Sequence, residues 1–215
     1  DADAVYDGGT GGGDTLVLPN LVWNGAQTVK YSGTVDLKDM SNLLATYGVT
    51  VSNFENIDGG SATAGLTLKG NASANTLRGG SASDTIWIGG GGDVVAGGAL
   101  VDVFAVDLSS LPDSGSTIAD LSQDDRIKLS LDGTSFLDFS KVNWIHAPED
   151  IEAAKNDTFS ADKLDAWIEQ NASGYRLAVE TAQDAYKYVS IGTELYGTKG
   201  KWAVSDGGTF VLKPT

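Results

Sequence analysis

Acidic or amide side chains recur every nine residues between Gly70 and Ala105. Asn75, Asp84, Asp93 and Asp102 each stand two residues before an apolar one: Leu77, Ile86, Val95 and Phe104. A loop carrying glycine precedes each. The four units read GNASANTLR, GGSASDTIW, IGGGGDVVA and GGALVDVFA, and Leu68 extends the apolar series one step back. A carboxylate beside a glycine loop is hard-oxygen chemistry. Glycine takes φ > 0 without a Cβ clash, so such a loop can gather its backbone carbonyls. Ca²⁺ takes about six to eight oxygens at roughly 2.3–2.6 Å. The candidate calcium ligands are therefore Asn75, Asp84, Asp93 and Asp102, with loop oxygens around Gly80, Gly89, Gly91 and Gly98.

A nine-residue unit holds about six loop residues and three strand residues. Glycine-rich loop, acidic residue and short strand at this period predict a parallel β-helix repeat. Two units then make one turn, and the eighth residue of each points inward to form an apolar column. On that geometry Asp84 stacks on Asp102, and Asn75 stacks on Asp93. The expected fold class is mostly β: a right-handed parallel β-roll or β-helix of nonapeptide repeats. A C-terminal, β-rich capping module with one or two short helices follows it.

The pattern resembles the RTX (repeats-in-toxin) proteins, whose repeat is GGxGxDxUx. Asn53-Phe-Glu-Asn-Ile-Asp58 through Gly65-Leu-Thr-Leu-Lys-Gly-Asn71 is similar to the lead-in of an RTX block. Gly9-Thr-Gly-Gly-Gly-Asp14-Thr-Leu16-Val fits one more unit, with Asp14 and Leu16 at positions six and eight. Asp3 and Val5 fit the tail of another. Thr117-Ile-Ala-Asp120 and Asp124-Asp125-Arg-Ile-Lys-Leu-Ser130 resemble the segment that closes the roll in serralysin-type proteases, which adds Asp120 and Asp125 to the calcium set. The resemblance covers roughly residues 1–18 and 53–130. It implies calcium binding, export by type I secretion machinery from a Gram-negative bacterium, and folding outside the cell.

The repeats depart from the family pattern. Only the third keeps a glycine-rich loop, and it opens with Ile88. The first has Asn75 for Asp, the second Ala82 for the glycine at position four, and the fourth Leu100 there. Leu and Ala are strained at φ > 0. One to three bound calcium ions are expected; a glycine-rich β-structure without metal is the alternative.

Composition bounds the rest. The chain has 215 residues, a formal charge of −15 and no cysteine. Such a surface repels nucleic acid and anionic membranes and attracts cations. The unbound chain repels itself, so folding is expected to await calcium. Without cysteine there is no disulfide staple, and metal ions can take that role. No run of apolar residues is long enough for a membrane helix, so no membrane insertion is expected. No signal peptide opens the chain, whose start in mid-repeat reads as a fragment or a processed piece.

The division expected is residues 1–130 as the roll, with a β insertion at about 19–64, and 131–215 as a capping and secretion-signal module. Within the latter, Pro148 to Lys155 reads as one or two helical turns. Ser160 to Asn171 reads as the best helix of the chain, with Ser160 as cap and Leu164, Trp167 and Ile168 on one face. Strands are expected over Arg176 to Thr181, Tyr186 to Gly192, Trp202 to Ser205 and Thr209 to Lys213, with Asp206-Gly-Gly208 as a hairpin turn.

Catalytic motifs are lacking. There is one histidine, His146, and neither HExxH nor GxSxG occurs. His146 reads as a structural residue. Five tryptophans allow a carbohydrate site, and Trp87, at the ninth and outward position of its unit, is the candidate. The function expected is a non-catalytic, calcium-binding extracellular module serving surface attachment or self-assembly, as in adhesins and surface layers. Its partners would be calcium, further copies of itself or cell-surface polysaccharide. The alternatives are the accessory domain of a secreted protease, lipase or epimerase, and a carbohydrate-binding module.

Overall fold

Threonine, valine and isoleucine in threes, bounded by glycine, make strands too short to stand alone, and each survives by pairing on both sides. The computed structural model describes residues 5–23, 28–40, 50–112, 115–122, 124–138, 141–145, 148–160, 163–172, 174–191, 202–205 and 209–212. The chain opens with β1 (Val5–Asp7), β2 (Thr15–Val17), β3 (Leu21–Trp23), β4 (Thr28–Lys30), β5 (Gly33–Asp36) and β6 (Thr50–Ser52). The repeat region follows with β7 (Asn56–Asp58), β8 (Leu66–Lys69), β9 (Thr76–Arg78), β10 (Thr85–Ile88), β11 (Val94–Ala96), β12 (Val103–Asp107), β13 (Ser116–Ile118) and β14 (Arg126–Ser130). The C-terminal part holds β15 (Val142–Ile145), α1 (Pro148–Lys155), β16 (Leu164–Asn171), β17 (Gly174–Ala182), β18 (Ala185–Ser190), β19 (Trp202–Ser205) and β20 (Thr209–Leu212).

The described chain is mostly β, and successive repeat strands alternate between two sheets. One sheet runs β5-β8-β10-β12-β14 and the other β2-β7-β9-β11-β13, all parallel. Neighbours within a sheet are thus two repeats apart, which is how parallel pairing arises with no crossover helix. The register places Val35, Leu68, Ile86, Phe104 and Ile127 in one column. Leu16, Ile57, Leu77, Val95 and Ile118 form the other. All ten are buried and belong to one core. The single apolar series of the sequence is therefore two interleaved columns.

The segment expected as an insertion contributes directly to both sheets. Apart from these sheets, the antiparallel hairpin β3–β4 forms a sheet of its own there, and β6 pairs in parallel with β1 in another. β5 joins β8 and places Val35 on Leu68, and β7 sits between β2 and β9. At the other end, β18 pairs in parallel with β13, while β20 pairs antiparallel with β14. Residues beyond 131 thus add strands to both sheets. Residues 41–49, His146 and the turn at 206–208 lie outside the described residues.

One expectation fails. The stretch read as a helix from Ser160 to Asn171 is the strand β16, paired in parallel with β15 and antiparallel with β17. Ladder partners on both sides satisfy its backbone, which outweighs a local preference of a few tenths of a kcal/mol per residue. Leu164, Trp167 and Ile168 also suit a strand: Leu164, Ala166 and Ile168 pack with Leu177, Val179 and Val189, and Trp167 meets Tyr186 edge-on at 5.6 Å. Gly174 follows the β16–β17 turn at φ 128°. Among the described residues α1 is the one helix of the C-terminal part.

Phe104 fills its column with no exposed surface, whereas Val94 on the outer face is 44% exposed. Phe104→Ala should cost about 3–5 kcal/mol, and Val94→Thr should stay within about 0.5 kcal/mol, both measured by denaturant unfolding. Similar costs at the two positions would contradict the inward register.

Candidate metal centre

The column of sixth-position residues, two before each apolar column residue, is built as a ladder of side-chain hydrogen bonds. Asp84 N–H donates to Asp102 Oδ1 at 2.7 Å, and Asn75 N–H to Asp93 Oδ1 at 3.1 Å. Both pairs lie 18 residues apart, the stacking that the two-repeat period predicts. Leu66 N–H donates to Asp84 Oδ1 (2.7 Å) and Asp102 N–H to Asp125 Oδ1 (2.9 Å). Asp93 N–H closes its side of the ladder on Ser116 Oγ. The carboxylate of each turn therefore clips the backbone of the turn before it.

The other oxygen clips the loop of its own unit. Gly80 N–H donates to Asp84 Oδ2 (2.6 Å), Gly89 N–H to Asp93 Oδ2 (3.1 Å) and Ser122 N–H to Asp125 Oδ2 (2.7 Å). Asn75 Oδ1 takes Asn71 N–H in the same way. Asp102 breaks the pattern. The donor four residues before it is Gly98, and Gly98 N–H goes to Asp120 Oδ2 (2.9 Å), while Gly97 N–H goes to Asp120 Oδ1 (2.8 Å). Among the described residues Asp102 accepts a single backbone hydrogen bond, from Asp84.

Asn75, Asp84, Asp93, Asp102 and Asp125 are no more than 3% exposed. None of the four ion pairs among the described residues involves them. Two forces oppose each other at these carboxylates. Charge-assisted hydrogen bonds stabilise the anion by about 1.5–3 kcal/mol each, and desolvation costs several kcal/mol per ion. Desolvation wins. Burial raises Asp84, Asp93 and Asp125 above the usual carboxylate range despite two or more bonds to each. Burial, opposed by the one bond from Asp84 and reinforced by the charges of Asp125, Asp84 and Asp120, pushes Asp102 up to about 7. A buried carboxylate short of donors and of cationic neighbours fits a hard cation. The structure thus singles out Asp102 among these carboxylates, which the nine-residue repeat does not.

The glycines divide by role. Gly80 and Gly89 bind the carboxylates through their N–H groups. Gly91 (φ 86°) and Gly98 (φ 102°) take the left-handed conformation where turns touch: a Cβ would lie 2.0 Å from Ser73 C and 2.1 Å from Gly80 O. Leu100 holds φ 71° with 69% of its surface exposed. Ala82 does not share that conformation. Asp14 occupies the same column position and donates its N–H to Glu55 Oε2 at 3.0 Å. Glu55, two before Ile57, is a sixth-position residue that the glycine pattern missed; the spacing to a buried isoleucine was the available signal.

No protein-family model matches the chain, and no curated protein gives a significant match.

Two further features bear on ligands. Asp157, Asp165 and Glu180 bring one carboxylate oxygen each within 4.8 Å of one another, a spacing that one cation can bridge. Glu180 is buried and raised by desolvation, with Asp165, Asp157 and Asp184 adding to the shift. Asn143 Nδ2 holds Asp165 at 2.7 Å. No repeat marks these residues, so sequence reasoning missed them. Trp87, by contrast, is not a free stacking surface. Phe136 stacks on it at 5.2 Å and 9°, and Lys69 Nζ lies 5.0 Å from the ring centre.

Two outcomes follow. The metal-free fold holds protons that the unfolded chain has released between about pH 4 and pH 7, so its stability should fall as pH rises through that window. Asp102, pushed up to about 7, is a main contributor to that fall. Urea unfolding in EGTA at pH 5 and 7.5 measures this; a rise in stability with pH would contradict it. Leu100→Gly should stabilise the chain by about 1 kcal/mol by relieving the left-handed leucine. A loss of stability would show that the Leu100 side chain makes compensating contacts.

Proposed function

We propose that this chain is a non-catalytic, calcium-dependent extracellular module built as an RTX-type β-roll. Two facing parallel ladders, glycine loops between them and one sixth-position rung per repeat unit support the β-roll reading. The observation that carries the calcium reading is the ladder of buried carboxylates, raised by desolvation and lacking a basic partner among the described residues. A net charge of −15 adds self-repulsion that only protons or cations relieve.

The ladder suits a protein exported unfolded through a type I route. Without calcium the carboxylates stay hydrated and the loops stay open. At extracellular calcium the ions replace the lost hydration, and burial of the two apolar columns follows. The work of such a module is surface attachment or self-assembly, in an adhesin or a surface layer. The covered ring of Trp87 and the buried ring of Trp167 favour this over sugar stacking as the role of those two tryptophans.

Calcium titration followed by circular dichroism and thermal unfolding tests the reading. Calcium at about 100 times its Kd stabilises by about 2.7 kcal/mol per site. For a chain of this length that is about 5–10 °C in Tm per site. If EGTA changes neither the spectrum nor Tm, the calcium reading is wrong. If calcium folds the chain and it stays monomeric at high concentration, the self-assembly role is lost.

A further inference from the structure

The two outer faces of the roll differ. On the sheet β8-β10-β12-β14, Phe136 lies across Trp87, with Lys69 and Lys128 at either side, so the chain's own residues cover that face. The opposite sheet stays open: Val17 is 62% exposed and Val94 44%. Residues on either side of an inward column residue point outward. On β2, β7, β9 and β11 this puts Val17, Asp58, Arg78 and Ala96 side by side in one row. Thr15, Asn56, Thr76 and Val94 make the row beside it. The two rows hold one carboxylate and one guanidinium, which meet at 3.5 Å. In a chain of formal charge −15 they form a patch of zero net charge. Like-charged copies repel elsewhere and can approach here, and loss of unpaired charge is what marks the centre of a protein interface.

The order of residues in the rows adds a second argument. A two-fold axis parallel to the strands, midway between β7 and β9, reverses the order along the sheet and keeps each row facing itself. Asp58 of each copy then faces Arg78 of the other. Val17 faces Ala96, and Thr15 faces Val94. The face is complementary to itself, as an isologous contact requires.

We propose that the outer face of β2, β7, β9 and β11 is the surface through which two copies of this chain pair, about a two-fold axis between β7 and β9. This rests on the self-assembly role proposed above and names its surface. The contact is small. Strands of three residues, about 4.8 Å apart, give roughly a few hundred Å² on each copy. A standard interface buries about 800 Å² per partner. Pairing is therefore weak, with a dissociation constant on the order of 0.1–1 mM. It serves copies already held close together on a surface, where effective concentrations reach about millimolar.

Sedimentation velocity on the full chain in calcium tests the face, from about 10 μM to about 1 mM protein and in about 0.15 M salt, which screens the overall repulsion. The wild-type chain should pair reversibly across that range. V94K sets an unpaired cation opposite Thr15 and should weaken pairing about tenfold or more. D58R and R78D should each do the same, although one lowers the net negative charge of the chain and the other raises it. The double variant D58R/R78D should restore pairing. Asp58 also accepts the Gly60 amide at 2.9 Å, so circular dichroism checks the fold of each variant. V94K and R78D carry the test if D58R unfolds. Wild-type pairing that V94K and R78D leave unchanged overturns this face and leaves self-assembly standing. Single variants that weaken pairing, with a folded double variant that does not restore it, overturn the two-fold axis. A wild-type chain that stays monomeric throughout removes the self-assembly role itself, a result distinct from both.

Discussion

Most turns of the repeat region are joined by a buried carboxylate, at Asp84, Asp93, Asp102 or Asp125, that accepts the backbone N–H of the turn before it. Parallel strands of three to five residues have little pairing of their own. The sixth-position side chains add a hydrogen bond between turns and another that folds the loop back on its strand. Without them the loop amides would be buried with no acceptor, at about 1–3 kcal/mol each. The same clip that joins the turns also carries negative charge into a region that water does not reach.

That charge is the constraint the rest of the structure must answer. Desolvation outweighs the hydrogen bonds at Asp84, Asp93, Asp102 and Asp125, as their raised titration shows. The fold is thus held together by groups that oppose it when they are ionised and alone. Protonation answers this in acid, and a bound cation would answer it at neutral pH. Two apolar columns of five residues supply the burial that makes the arrangement worth completing. The strands added at the far end extend both sheets: β18 runs with the ladder, and β20 runs against it. An antiparallel strand breaks the repeat, which limits further growth on that sheet.

Much of the repeat region was legible in the residues. The nine-residue period named the strands, the inward residues and the stacking of Asp84 on Asp102. It stopped at the C-terminal part, where Ser160 to Asn171 carries a helical spacing and forms a strand. Leu164, Trp167 and Ile168 fit either period over so short a run. The choice was made by its partners on either side: β17, which follows at once and folds back on it, and β15, which pairs from 22 residues upstream. The same limit hid Asp157, Asp165 and Glu180, which come from three elements and share no motif.

The sequence by itself determined the period, the identity of the buried columns and the residues that could meet a cation. It did so because each depends on a local repeat with a fixed two-unit turn. Only the tertiary structure decided which carboxylates have donors to spare. Asp102 and Asp93 look alike in their repeats, and the third loop is the richer in glycine. Asp120 reaches back across 22 residues to take the Gly98 amide, and that separates them. Hydrogen-bond competition is a property of positions in space, and no spacing along the chain records it.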